Sequence, residues 1–199
     1  GSGLDTSFAT VSSLKANLSE TLDLAKEALI NPTFPQKEID RIKKQTLASI
    51  VQEENRPAAI AYRNIGKLLY GENHPYGKPL TGSGVSETIS NITRDDIIEV
   101  HNRAVNPANL TFAVAGDIEL DELVNLLEDK FGNWSANSTS DLKELSNVSL
   151  PATRIIYLID KPNAQQSYIV AGQLLPPSAT DEEIKINYMN YAIGGSFTT

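Results

Sequence analysis

The two histidines are the residues of this sequence best suited to bind a metal ion or to transfer protons near neutral pH. His74 lies in a predicted turn, Asn-His-Pro-Tyr, and His101 in the middle of a predicted helix. A hydrolytic zinc site needs about three imidazole or carboxylate ligands that converge on one point. Neither histidine has a second histidine or a glutamate four residues away, so the pattern favours a structural or surface role for both.

Two further short motifs could take part in chemistry. Glu53 and Glu54 are adjacent acids near the end of a predicted helix, and neighbouring helical positions do not face each other. We therefore predict solvated surface charge there. Gly82-Ser-Gly84 could cradle a phosphate, but no strand precedes it and no lysine follows in the register of a P-loop. A flexible loop is favoured, and the residues alone assign no catalytic and no metal-binding side chain.

Composition limits the remaining classes of function. The 199 residues have room for one or two domains, and the net charge of −8 argues against nucleic acid as the main partner. No apolar run reaches the roughly 18–20 residues needed to span a membrane. The absence of cysteine excludes disulfides and thiolate zinc sites. The chain begins Gly-Ser-Gly and ends at Thr199, so we expect a piece of a longer polypeptide; its compartment is not predicted.

Helical spacing of apolar residues predicts six helices, at 18–30, 36–54, 58–70, 94–105, 119–131 and 181–193. Thr93 and Asp96 have the spacing of a capping box at the fourth of these. Thr33 and Asp117 are predicted to cap the second and the fifth. The predicted buried face of the long second helix consists of Ile39, Ile42, Thr46, Leu47, Ile50 and Val51.

Short runs rich in β-forming residues predict strands at 110–116, 154–160 and 166–174, with a weaker pattern at 6–13. A strand flanked by two amphipathic helices implies a sheet with helices packed on it. The stretch 133–153 is rich in Ser, Asn and Thr and is predicted to be a linker. We therefore expect one domain at 1–132, whose first strands can lie outside the chain, and the truncated start of a second at 154–199.

Taken together in chain order, these segments resemble the insulinase/pitrilysin-like peptidases of family M16, which include the mitochondrial processing peptidases. The resemblance covers nearly the whole chain. It rests on Leu69-Tyr-Gly-x-x-His-Pro-Tyr-Gly77, Asn106-Pro-x-Asn-Leu-Thr-x-x-Val-x-Gly-Asp117, Asp160-Lys-Pro-x-Ala-Gln-Gln-Ser167 and the stretches 31–41, 92–96, 131–134 and 194–197.

The resemblance implies an α+β fold, a two-layer sandwich in which helices pack on one face of a mixed, mostly antiparallel sheet, followed by a second related domain. In the family, two such halves close around an unfolded peptide. One half carries zinc on an inverted His-x-x-Glu-His motif. The other half has no metal and supplies surface that binds the substrate.

This sequence departs from the catalytic pattern, because it contains no His-x-x-Glu-His. Ile42 and Ser49 align with the positions where active halves carry two glutamates on one helix face. The resemblance is therefore to the metal-free half, with no cofactor in this chain, zinc in a catalytic partner half, and peptide as substrate. The alternatives are a structural or peptide-binding subunit without a proteolytic role, and an unrelated α+β domain.

Overall fold

The computed structural model describes residues 1–135, 148–149, 153–175 and 181–195. All six predicted helices are confirmed to within a few residues at each end. None of the helices in these ranges is long and apolar enough to cross a membrane. In chain order the described helices are α1 (Leu18–Ile30), α2 (Gln36–Glu53), α3 (Pro57–Tyr70), α4 (Ser86–Asn91), α5 (Arg94–Ala104), α6 (Leu120–Phe131) and α7 (Glu182–Asn190).

The buried face of the longest helix, α2, differs in part from the prediction. Ile39 and Ile50 are buried, whereas Ile42 and Val51 are more than half exposed, so their predicted burial is wrong. At about 100° per residue, Ile42 and Val51 lie roughly 70° and roughly 110° around the helix axis from the midpoint of Ile39 and Ile50. Lys43 enters the stripe instead, and its Nζ donates to the carbonyl oxygens of Ser90 (2.9 Å) and Ile92 (2.7 Å).

The capping box predicted at the start of α5 is confirmed. The Thr93 hydroxyl oxygen accepts from the Asp96 backbone nitrogen at 3.2 Å, and the Asp96 carboxylate accepts from the Thr93 nitrogen at 2.7 Å. The caps predicted at Thr33 and Asp117 are wrong. Helices α2 and α6 begin after Pro35 and Glu119, and neither N-cap residue has a side-chain capping bond.

The turn from α1 to α2 takes its shape from contacts with α5. Phe34 has a φ of 44°, a left-handed conformation that is uncommon outside glycine. The Arg94 guanidinium donates to the carbonyl oxygens of Phe34 (3.0 Å) and Thr33 (3.2 Å). The Phe34 ring meets the His101 ring edge-on at 5.3 Å. These contacts, rather than a Thr33 cap, therefore fix the entry into α2.

Replacing Thr93 with alanine is expected to lower the free energy of unfolding by about 1 kcal/mol, the usual cost of losing an N-cap side chain. Hydrogen bonds from the Thr93 side chain and backbone lower the pKa of Asp96. A lowered pKa means that the Asp96 contribution is present above its unfolded value and is lost as the pH falls through the folded one. Chemical denaturation should therefore show a smaller deficit in strongly acidic solution. Thr33→Ala is the control, and an equal loss in both variants would contradict the assignment.

The predicted α+β fold class is wrong. The described residues contain no β-strand, and their only β-type contact is an isolated bridge between Ser2 and Ser7. The stretches 110–116, 154–160 and 166–174, predicted as strands, lack the backbone ladder that a sheet requires. Within the described ranges no backbone hydrogen bond joins these stretches to one another. The composition of these stretches favours strands, but none of them has a paired neighbour in the described ranges. The described fold is therefore all-α.

The same stretches pack on the helices by part of their surface. Phe112 contacts Phe131 of α6 with ring centroids 5.2 Å apart, and Tyr168 contacts Tyr62 of α3 at 6.3 Å. Ile156 and Leu158 are almost fully exposed. The division into domains at 1–132 and 154–199 stays a prediction, and most of the predicted linker lies outside the described residues.

Candidate functional site

A cleft with a volume of about 620 Å³ lies between α3, the loop that follows it, and the turn at 160–161. Residues three, four and seven positions apart lie on one face of a helix. Ile60, Arg63, Asn64 and Lys67 of α3 follow this spacing and form one wall. The remaining lining residues come from the loop, the end of α2 and the turn: Glu54, Glu72, Gly77, Lys78, Pro79, Val85, Asp160 and Lys161.

A largely buried ion pair supports the base of this wall. Arg63 Nη1 lies 2.7 Å from Glu53 Oε2, and the side chains are only 11% and 15% exposed. The same guanidinium donates to Ser83 Oγ (2.7 Å) and to the Gly84 carbonyl (3.0 Å), and the Ser83 hydroxyl donates to Glu53 (2.7 Å). Burial alone would raise the pKa of Glu53. Hydrogen bonds from Ser83, Arg63 and Thr81 and the charge of Arg63 outweigh burial, so the pKa is lowered.

Sequence reasoning missed this network. Glu53 was predicted as solvated surface charge, and that prediction is wrong. Its position in the helix could have indicated burial. Glu53 lies three residues after Ile50 and fourteen after Ile39, which places it on the buried face of α2. Gly82 and Gly84 both have a φ of 75° and bracket Ser83, so the loop presents the serine hydroxyl to the ion pair.

The three lysines of the cleft are also paired or hydrogen-bonded. Lys67 forms an ion pair with Glu72, and this contact lowers the pKa of Glu72. Lys78 Nζ donates to the Glu72 carbonyl oxygen at 2.9 Å. Lys161 Nζ donates to the Glu54 carbonyl oxygen at 3.2 Å. The lining thus combines both signs of charge and offers donors and acceptors suited to a polypeptide backbone.

The predicted structural role of His74 fits its surroundings, because the ring is buried and caps a short 3₁₀ turn, Pro75–Gly77. Its Nδ1 accepts a hydrogen bond from the Tyr76 backbone nitrogen at 3.1 Å. The ring stacks on Tyr70 with centroids 5.1 Å apart and meets Tyr76 edge-on at 5.2 Å.

His101 is half-buried on α5, and its Nε2 donates to the Leu29 carbonyl oxygen of α1 at 2.8 Å. The bond joins two helices and leaves the ring in a packing role beside Phe34. Within the described ranges, no group of three or more His, Asp or Glu side chains could hold a metal ion. The described ranges therefore contain no set of zinc ligands. The resemblance implies that zinc is bound by a partner half.

Ile42 and Ser49 lie on the outward face of α2, both exposed. The Ser49 hydroxyl donates to the Gln45 carbonyl oxygen at 3.1 Å, a local helical bond. The structure thus places an aliphatic and a hydroxyl side chain seven residues apart at the surface. Their alignment with two glutamates of active relatives stays a prediction.

Comparison with known proteins gives consistent results. A zinc protease of Mycobacterium leprae, itself uncharacterized, is 22% identical over 186 residues, which are 94% of this chain and 41% of that protein. A protein of Helicobacter pylori named as a non-peptidase homolog is 21% identical over 94% of this chain and 42% of its own length. This chain thus spans about two fifths of the length of these relatives.

The fold is also found in a solved structure, a protease from Helicobacter pylori. The two match with a TM-score of 0.58 at 20% identity, over 67% of this chain and 32% of that one. At this identity the likeness concerns the fold alone. Residues 91–199, more than half of the chain, match the family profile described as the peptidase M16 inactive domain. The chain therefore belongs to the M16 peptidase family, and the match is to the inactive domain of that family.

Proposed function

We propose that this chain is part of the non-catalytic half of an M16 zinc peptidase and forms a wall of the chamber that holds an unfolded peptide. A catalytic half, on the same polypeptide or on a separate subunit, supplies the zinc ion and the glutamate that activates water. The part played by this chain is to bind and orient peptide, and by itself the chain is inactive.

One observation carries this proposal: the match of residues 91–199 to the inactive domain of the family. The cleft beside α3 supports it, because its lysine, asparagine and carboxylate groups can hydrogen-bond to the amides and carbonyls of an extended peptide. The uncharged pair Ile42 and Ser49 agrees with a half that lacks the glutamates expected of active halves.

The test is reconstitution with the M16 half from the same source that carries His-x-x-Glu-His. Cleavage of an unstructured, fluorescence-quenched peptide is measured for each half and for the mixture, and zinc is measured by elemental analysis. We expect cleavage only in the mixture, with zinc bound by the catalytic half. A catalytic half with Glu→Gln in its motif is the control. Cleavage by the present chain alone, with one zinc bound per chain, would overturn the proposal.

A second candidate is a structural or peptide-binding subunit with no proteolytic role. The observation that favours it is the Helicobacter pylori relative named as a non-peptidase homolog. The two candidates differ in one result of the same experiment. A stable complex that binds peptide but cleaves nothing, with every partner present, would favour the second.

A further inference from the structure

The His74 ring caps the turn beside the cleft, and it does so as an acceptor. Its Nδ1 lies 3.1 Å from the Tyr76 backbone nitrogen, which can only donate. An imidazole nitrogen accepts a hydrogen bond only when it carries no proton. The bond from Tyr76 therefore requires a neutral ring with its proton on Nε2.

The capped turn connects two parts of the molecule. Gly77 and Lys78, at its end, line the cleft. The Tyr76 hydroxyl donates to the Asp5 carboxylate, which ties the N-terminal segment to the turn. A Cβ on Gly77 would collide with the Gly71 carbonyl oxygen, so the turn is folded tightly against the end of α3. A tight turn of this kind has little room to absorb a change in the cap.

We propose that this turn is a proton-sensitive element: when Nδ1 of His74 takes up a proton, the cap breaks, and the loop wall of the cleft loosens together with the segment held at Asp5. Protonation would place two N–H donors against each other across 3.1 Å. Either the ring leaves its position between Tyr70 and Tyr76, or the turn opens. This inference does not depend on the proposed function.

The ionisable groups on the neighbouring elements already have partners. On the α3 side, Tyr70 stacks on the ring and Lys67 pairs with Glu72. On the turn side, the hydrogen bond to Asp5 raises the pKa of Tyr76, so its hydroxyl keeps its proton. Lys78 donates to the Glu72 carbonyl oxygen.

The direction of the effect follows from linkage. In an unfolded chain, histidine takes up a proton as the pH falls through about 6.5. A folded state that requires the neutral ring loses stability over that range, by at most about tenfold in the folding equilibrium constant per pH unit.

The experiment compares melting temperatures of the purified protein at about pH 7.5 and about pH 5.5, on either side of histidine's usual titration. We expect the acid sample to melt about 3–5 °C lower. His74→Asn should remove this difference, because an asparagine side chain can cap the turn without titrating. His101→Asn is the control and should keep it, since a ring that donates from Nε2 to Leu29 can do so in both protonation states.

Hydrogen exchange provides a second measurement if His74→Asn does not fold. Asn106 caps the turn Pro107–Asn109 in the same way, with its side-chain oxygen 3.0 Å from the Ala108 nitrogen, and it does not titrate. Protection of the Tyr76 amide should fall on acidification by up to about tenfold more than that of the Ala108 amide. Equal melting temperatures at both pH values, an equal loss in His74→Asn, or parallel protection of the two amides would overturn the proposal.

Discussion

Replacing Gly66 with alanine is expected to lower the free energy of unfolding by roughly 2–3 kcal/mol, the cost of overpacking a tight contact. An alanine inside a helix normally stabilises it relative to glycine by about 0.5–1 kcal/mol. Here the added Cβ would lie 2.7 Å from the Tyr76 carbonyl oxygen and 2.8 Å from that of Lys78. Both are backbone atoms, so α3 and the loop must move apart.

Thermal unfolding measures this effect, with an expected decrease in melting temperature of about 4–12 °C for a chain of this size. Gly116→Ala is the matched control, since no atom lies within 4 Å of its added Cβ. That variant should remain within about 0.5 kcal/mol of the parent protein. If Gly66→Ala were as stable as the parent, the loop could not pack against α3 as closely as described.

Replacing Arg63 with methionine should destabilise the protein by about 2–3 kcal/mol, because it leaves the Glu53 carboxylate largely buried without its cation. The variant also removes the donors to Ser83 and Gly84, which position the loop beside the cleft. Because the pKa of Glu53 is lowered in the folded state, its contribution is present above the usual carboxyl value and disappears as the pH falls. The deficit should therefore shrink in acid.

Urea denaturation near neutral pH and near pH 4 measures the size of the Arg63 deficit and its pH dependence. Glu53→Gln combined with Arg63→Met should cost less than the sum of the two single changes, since neither variant partner is charged. Arg41→Met removes an exposed ion pair with Glu38 and should have little effect. Additive losses, or an equal loss in Arg41→Met, would show that the Glu53 pair does not act as described.

The helices could be predicted because their signals are local. The apolar spacing of 18–30 and the capping box of Thr93 and Asp96 require nothing beyond their own segment. The strands could not be predicted in the same way, because a strand exists only if another segment pairs with it. The stretch 154–160 has the composition of a strand but has no hydrogen-bonded neighbour in the described structure.

The candidate site was predicted only in fragments. The loop character of Gly82-Ser-Gly84 follows from the sequence, but neither the burial of His74 nor the cleft beside α3 does. Its base depends on Arg63 of α3 meeting Glu53 of α2 and Ser83 of the loop, ten and twenty residues from the arginine. Such contacts depend on how helices dock, which periodicity does not specify.

The left-handed turn at Phe34 has a consequence for the order of folding. A non-glycine residue at a φ of 44° is costly for an isolated hairpin, so α1 and α2 have little tendency to adopt this turn alone. The guanidinium that holds this turn belongs to Arg94, sixty residues further along the chain. We therefore expect that α1 and α2 do not form an autonomous folding nucleus, and that the angle between these two helices is set only when α5 docks.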